Sequence, residues 1–291
     1  MAWLQLETKL GLQHPELLEA ALEELGAVAV WLQDAGDEPL LEPAPGETPL
    51  WSNTLVAALF PADTDREILE KSLAGLLPDN ALHFSLIVDR DWHGEWQQSL
   101  QPTRYGERLW VVPAGSAAPP GGIVVHFSPG MAFGTGEHPT TRMCLEWLDS
   151  LTLTGNRVLD YGCGSGLLAI AALRLGAQHA CAVDIDPQAL EATRNNAAAN
   201  ACLNRLDIGY PEEISGLQQY DVLAANILSG ILVKLGPAIR ELLQPGARLA
   251  LSGILINQAP EVCAAWKDWA DLRVSAQIGD WVLLTGQKHG S

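Results

Sequence analysis

Apolar and polar positions follow two different rhythms along the chain, and the change of rhythm divides it. Over the first ninety residues the pattern switches repeatedly between strand-like and helix-like spacing. Ala2–Thr8 reads as a strand. His14–Leu25 reads as a helix, with Pro15 in a first-turn position and Gly26 as its stop. Ala27–Gln33 and Thr54–Phe60 are apolar strands, separated by the Pro-, Gly- and acid-rich loop Asp34–Trp51. Asp63–Leu76 predicts a second helix, capped by Asp63 or Thr64, and His83–Val88 a last strand. The order β-α-β-β-α-β predicts a small α+β, ferredoxin-like domain over residues 1–90. That fold hosts many functions, so the order by itself assigns none.

Residues 91–103 predict a short linker helix, in which Trp92 and Trp96 lie one turn apart. Such a pair reads as packing against a neighbouring domain rather than as a contact with substrate. Residues 104–291 form the larger domain. Arg108–Val112 and Ile123–Phe127 are strands, and a regular α/β alternation follows. Its strands are Arg157–Tyr161, Ala180–Asp184, Asp207–Gly209, Asp221–Asn226, Arg248–Ser252, Leu272–Ile278 and Asp280–Thr285. Its helices are Gly166–Leu175, Pro187–Asn200, Ser229–Leu243 and Gln258–Trp269. This predicts a doubly wound, mostly parallel sheet. Only Gly279 separates the last two strands, too little chain for a parallel crossover, so the final strand runs antiparallel.

Composition narrows the class. A length of 291 residues suits two domains, and 48% apolar with 18% charged residues is globular rather than disordered. The N-terminus has no basic stretch leading into an apolar one, and Leu249–Ile256 is too short to span a bilayer, so a cytoplasmic protein with no membrane partner is expected. The five cysteines are odd in number, widely spaced and without a CxxC pair, which argues for reduced thiols and against a disulfide framework or a zinc site. No coiled-coil repeat or obvious dimer helix is evident, and a monomer is expected. The net charge is −18, and residues 1–90 hold sixteen Asp and Glu against four Lys and Arg. A surface of that sign repels phosphate backbones and attracts cations, which makes nucleic acid a poor main ligand and a basic protein a good one.

Four stretches carry chemistry. In Val158–Leu173, VLDYGCGSGLLAIAAL, a buried strand ends at Asp160, and Gly162, Gly164 and Gly166 turn the chain into a helix. Glycines serve where backbone approaches a ligand closely. The spacing is G-x-G-x-G, with Leu167 where a nicotinamide fingerprint has its last glycine, and no Lys or Arg run flanks it to meet a pyrophosphate. The turn suits a nucleoside without phosphates, such as the adenosyl group of S-adenosylmethionine. In AVDIDPQALEATRNNAAAN, Asp184 follows Gly162 by 22 positions, at the end of the next strand, where a carboxylate can accept from a ribose diol. Asp186, before Pro187, reads as a helix cap. In DVLAANILSGIL, a strand delivers Asn226 to the carboxyl edge of the sheet, where its carbonyl can hold an amine. The alternative is that Asn226 caps the next helix, with Ser229 as competitor. In FSPGMAFGTGEHPTTRMCLEWL, Gly130, Gly134 and Gly136 make a loop, and Thr140 or Thr141 opens a helix, as a cap or as a contact to the methionine part of the cofactor. Glu137 and His138 lack the partners that a metal site needs.

Taken together, MAFGTGEHPTT, VLDYGCGSGLLAIAAL, VDIDPQALEATRNNAAAN and ANIL resemble the PrmA family of ribosomal protein methyltransferases, over essentially the whole chain. The resemblance implies a catalytic domain that binds S-adenosylmethionine and an N-terminal domain that recognises the substrate. In that family the substrate is the large-subunit ribosomal protein numbered eleven, methylated on its α-amine and on lysine ε-amines. Carried over by motif position, Thr141 contacts the cofactor, Gly162 lies against it, Asp184 holds the ribose, and Asn226 lies beside the transferable methyl and positions the amine. Ser229 departs from the Ala that many relatives have after the Asn-Ile-Leu segment. Other readings are a nicotinamide-dependent dehydrogenase, a cofactor-sensing binding module, and a methyltransferase acting on RNA or on another protein.

Overall fold

The computed structural model describes residues 2–10, 15–36, 50–51, 53–77, 81–88, 101–117, 119–128, 138–214 and 219–290. The expected linker helix with Trp92 and Trp96, most of the loop 34–51, and Gly130, Gly134, Gly136 and Glu137 lie outside them. The chain divides into two compact units, Met1–Trp92 and His93–Ser291.

The first unit runs β1 (Ala2–Lys9), α1 (Pro15–Glu24), β2 (Ala29–Asp34), β3 (Thr54–Pro61), α2 (Arg66–Leu73) and β4 (His83–Val88). The sheet order is β2-β3-β1-β4 with every pair antiparallel, the ferredoxin-like arrangement expected. Period-two alternation puts Leu4 and Leu6 of β1 and Val56, Ala58 and Phe60 of β3 on one face, where they bury against Leu18 and Leu22 of α1 and Leu69 and Leu73 of α2. The cap of α2 differs from the expectation. Asp65, not Asp63 or Thr64, accepts from Glu67 N at 2.9 Å, because the helix starts at Arg66.

The second unit opens with a small sheet of β5 (Thr103–Tyr105), β6 (Leu109–Pro113) and β7 (Ile123–Phe127). Thr103, expected to end the linker helix, begins β5 instead, paired with Val111. Then come α3 (Pro139–Ser150), β8 (Arg157–Tyr161), α4 (Leu167–Arg174), β9 (His179–Val183), α5 (Pro187–Ala199), β10 (Leu206–Gly209) and β11 (Tyr220–Asn226). The chain ends with α6 (Ser229–Glu241), β12 (Leu243–Leu255), α7 (Ala259–Trp266), β13 (Ala270–Ile278) and β14 (Trp281–Lys288). The seven-stranded sheet has the order β10-β9-β8-β11-β12-β14-β13. Its strands are parallel except for β14, which runs antiparallel to both β12 and β13, as the single-glycine turn required.

Both faces of this sheet are covered, which is why β8 and β9 are buried past their first residue. Val158, Ala180, Ala182, Ala224 and Ala250 face one core with α3, α4 and α5. Leu159, Cys181, Leu223, Leu249 and Leu251 face the other with α6 and α7. Strand order reverses between β8 and β11, so the carboxyl ends of those two strands flank a crevice, the place where open α/β sheets bind ligands. Among the described residues no helix is long and apolar enough to cross a membrane, and all five cysteines are free thiols.

Trp266 is the largest side chain wholly inside the second core. Its Nε1 donates to Leu232 O at 3.1 Å, and its ring lies 4.5 Å from that of Trp269. Trp266→Ala should therefore lower stability by about 3–5 kcal/mol in urea unfolding. An unchanged midpoint and slope would contradict this account of the core.

Candidate active site

β8 ends at Asp160 and Tyr161, and the chain turns through Gly162, Gly164 and Gly166, all at positive φ, into α4. Gly162 has φ +76°, and a Cβ there would collide with Cγ2 of Ile227, which follows β11. Only glycine lets the turn and the β11 loop lie this close. Gly253, at φ +79°, plays the matching part on the other side, where a Cβ would stand 2.6 Å from Ile227 O. The turn is anchored to β9 by Gly162 N and Cys163 N, which both donate to Val183 O, at 2.8 and 2.9 Å.

Asp184 stands just past β9, half-buried. Its Oδ2 accepts from Gly164 N at 2.9 Å and its Oδ1 from Asp186 N at 3.1 Å. The carboxylate is held beside the glycine turn by backbone amides alone, and each oxygen retains acceptor capacity. Asp186 caps α5 as expected, accepting from Gln188 N at 2.8 Å.

β11 carries Asn226 to the same edge, in register with Ser252 of β12. Its Nδ2 donates to Thr141 Oγ1 at 3.2 Å. Its Oδ1 is buried and accepts from nothing. The capping alternatives fall away here. Helix α6 takes Leu228 at its N-cap position with no side-chain bond, so neither Asn226 nor Ser229 caps it. Neither Thr140 nor Thr141 caps α3. That role belongs to His138, whose Nδ1 accepts from Thr140 N at 3.4 Å and lies 2.7 Å from Thr140 Oγ1. Burial holds the His138 pKa below its ordinary value, which favours the neutral ring, and that ring meets Trp281 edge-on at 5.0 Å.

Thr141, Gly162 and Asn226 thus line one recess with Cys163, Gly164, Ser165, Leu167 and Leu168. Asp184 lies outside that lining and joins it through Gly164 N. A larger groove, ≈ 530 Å³, lies elsewhere on the sheet, between Trp147, Arg248 and Arg273, and contains none of these residues.

Two sets of residues escaped the sequence reading. Asp160 is 1% exposed; its Oδ2 accepts from Ala169 N at 3.0 Å, while its Oδ1 has no partner. Burial pushes its carboxyl up to about 7, the Ala169 amide opposes this, and the nearby Asp184 charge adds to the rise. A buried acid closing an apolar strand was the available signal. The second set lies on α5. Thr193 Oγ1 donates to Gly164 O at 2.9 Å, and Asn196 Nδ2 to Ser165 O at 3.0 Å. Asn200 exchanges bonds with His126 N and O, at 2.8 and 2.6 Å. These three buried polar residues follow helical spacing in an alanine-rich stretch, a stripe visible in TRNNAAAN.

Asn226, which lines the recess, has an orphaned oxygen that fits a cationic donor, while the orphaned oxygen of Asp160 is buried in the adjacent strand. The glycine turn and Asp184 fit a ribose-bearing group. A sheet of this order with one reversed strand, built around these elements, defines an S-adenosylmethionine-dependent methyltransferase. The family model for ribosomal protein L11 methyltransferase (PrmA) matches residues 2–289, and the chain belongs to that family. It is 49% identical over 295 residues to a ribosomal protein L11 methyltransferase of Pseudomonas aeruginosa, covering 99% of each chain. It is 50% identical to one of Ectopseudomonas mendocina, covering 99% of this chain and 100% of the relative. Among solved structures, it resembles a ribosomal protein L11 methylase from Lactobacillus delbrueckii subsp. bulgaricus with a TM-score of 0.58 and 28% identity, covering 65% of this chain and all of the other.

Asp160 makes the pH dependence of stability a test of the site. Its folded pKa of about 7 lies above the ordinary 3.8. Between those values the folded protein retains a proton that the unfolded chain releases, so this residue's contribution falls as pH rises through the window and is lost above it. Asp160→Asn removes the charge and keeps an acceptor for Ala169 N. Relative to wild type it should gain roughly 1–4 kcal/mol between pH 5 and pH 8 in chemical denaturation. A difference that does not change with pH would contradict a buried, unpaired carboxylate.

Proposed function

We propose that this protein transfers methyl groups from S-adenosylmethionine to the α-amine and lysine ε-amines of ribosomal protein L11, in the cytoplasm. The observation that carries this reading is the Asn226–Thr141 pair, with the amide carbonyl left without a partner beside the glycine turn. Membership of the L11 methyltransferase family supports the acceptor. Residues 1–90 then serve as the recognition domain, and their excess of acidic residues suits a basic ribosomal protein.

S-adenosylmethionine supplies a methyl carbon already activated by a sulfonium. The chain's own residues therefore have to hold the reactants and choose the form of the amine. Asp184 is set to accept from the ribose hydroxyls. Gly162 lets the glycine turn pack against Ile227 and lines the recess that would take the cofactor. Thr141 fixes the NH2 end of Asn226, so the carbonyl end faces the recess. That carbonyl would accept an N–H of a bound amine and so orient its nitrogen lone pair. A lysine amine, with an ordinary pKa of about 10.4, arrives protonated and has to lose that proton before attack. Burial beside a cation lowers its pKa, and the proton leaves to water, since an amide carbonyl is no base. When bound, the cofactor would supply the methyl group to the amine nitrogen, and its sulfur would keep the electron pair of the broken C–S bond.

Incubation of purified large-subunit ribosomal proteins with methyl-labelled S-adenosylmethionine should yield L11 carrying whole-methyl mass gains. Label on no ribosomal protein, with cofactor binding intact, would overturn the acceptor. Asn226→Ala should lower kcat by about 100-fold, with the Kd for S-adenosylmethionine changed less than about threefold. The reverse pattern would make Asn226 a cofactor ligand only. Raising salt from about 50 to 500 mM should slow L11 association at least about tenfold and leave single-turnover transfer in the bound complex unchanged. A salt-insensitive association rate would remove the acidic domain from the account.

A further inference from the structure

β7 is the edge of its three-stranded sheet, paired on one side only, with β6. Its other side is closed by side chains instead of a strand. Arg174 Nε, in the last turn of α4, donates to Val124 O at 3.0 Å. Asn200 Oδ1 accepts from His126 N at 2.8 Å, and its Nδ2 donates to His126 O at 2.6 Å. Asn196 Oδ1 accepts from Ser128 N at 3.0 Å. Spacing explains the fit. Four residues of helix rise about 6 Å and two residues of strand advance about 6.6 Å, so Asn200 and Asn196 meet alternate residues of the strand edge.

The two asparagines differ in what else they hold. Asn200 returns its second amide hydrogen to its own helix, at Asn196 O, 2.8 Å away. Asn196 reaches out to the glycine turn, where its Nδ2 donates to Ser165 O at 3.0 Å. Three residues earlier on α5, Thr193 Oγ1 donates to Gly164 O at 2.9 Å, and on the other side Asp184 accepts from Gly164 N. Gly164 and Ser165 line the recess with Thr141 and Asn226. Closing the edge of β7 asks Asn196 only for an acceptor. Its donor end is committed to the turn, so one buried amide ties the strand edge to the recess wall.

We propose that Asn196 and Thr193 are positioning residues of the cofactor site. They fix the carbonyls of the glycine turn that receives S-adenosylmethionine, and Asn196 couples cofactor binding to the edge of β7. Both act through Gly164 and Ser165. By linkage, a ligand that orders the turn also steadies β7, and a turn cut loose from β7 binds the ligand less well.

The test uses the full-length protein and S-adenosylmethionine, with affinity from calorimetry and backbone amide exchange read residue by residue. Asn196→Ala should raise the cofactor Kd about tenfold. Asn200→Ala is the control, because it strips bonds from His126 and leaves those of the turn in place. It should lower the thermal midpoint at least as far as Asn196→Ala does and keep Kd within about twofold. In wild type, saturating cofactor should slow exchange of the His126 amide about fivefold. That slowing should vanish in Asn196→Ala, where the Asn200 bond to the same amide remains. Thr193→Val keeps the side-chain shape and the β7 bonds and should raise Kd about threefold, which decides the question if Asn196→Ala does not fold. A wild-type Kd in both variants, or in Thr193→Val where it stands alone, would overturn the proposal and leave the stripe as packing. Equal rises in Kd for Asn196→Ala and Asn200→Ala would overturn it in favour of a general loosening of α5. His126 exchange that ignores the cofactor in wild type would overturn the coupling.

Discussion

A single side-chain hydrogen bond, Asn226 Nδ2 to Thr141 Oγ1, ties the end of a central strand to the first turn of a helix 85 residues earlier in the chain. Its value lies in direction more than in energy, since one such bond nets only about 1 kcal/mol. An amide can turn either end toward a ligand. With its NH2 end committed to Thr141, Asn226 presents its carbonyl, buried and without a partner, at the edge where the strand order reverses. The surrounding structure serves that arrangement. His138 caps α3 so that Thr141 lies in a formed first turn. Gly162 and Gly253 let the loop after β11 close on the glycine turn and on β12. Thr193 and Asn196 hold that turn from behind by its carbonyls.

The site is assembled at a cost to the folded state. Two buried oxygens, of Asp160 and Asn226, go without partners, and a carboxylate sits in a strand end with one amide to stabilise it. Groups left in this condition are expensive in a structural core and useful in a binding site, because the ligand that supplies the missing donors recovers the expense as affinity. Two large cores on either side of the sheet offset it. The same logic separates Asp186 from Asp184. Asp186 is spent on a helix N-terminus, whereas Asp184 takes two backbone donors that orient it and leaves acceptor capacity facing outward.

Much of this was legible in the residues. Period two gave way to apolar runs bounded by glycine, which located the sheet, and the lone Gly279 between the last strands required the reversal of β14. The spacing from Gly162 to Asp184 placed a carboxylate beside the turn, because each is the first feature past a parallel neighbour strand. Caps were harder to read. Asp65 and His138 displaced the expected residues because the capping position depends on where the chain enters the helix, a shift of one to three residues that spacing leaves open. The polar stripe of α5 and Asp160 stood in the sequence, but what they do was hidden for a different reason. Thr193, Asn196 and Asn200 bond to backbone of β7 and of the glycine turn, far away in sequence. An unsatisfied oxygen is defined only once its surroundings exist.

The central claim is that Thr141 acts through Asn226, and a double-mutant cycle in single-turnover methyl transfer to L11 tests it most directly. The account predicts that Thr141→Val slows transfer about tenfold when Asn226 is present and has little further effect in the Asn226→Ala background, the non-additivity of two groups working as one. Equal losses in both backgrounds would show that Thr141 acts independently of Asn226, and would contradict the oriented amide on which the account rests.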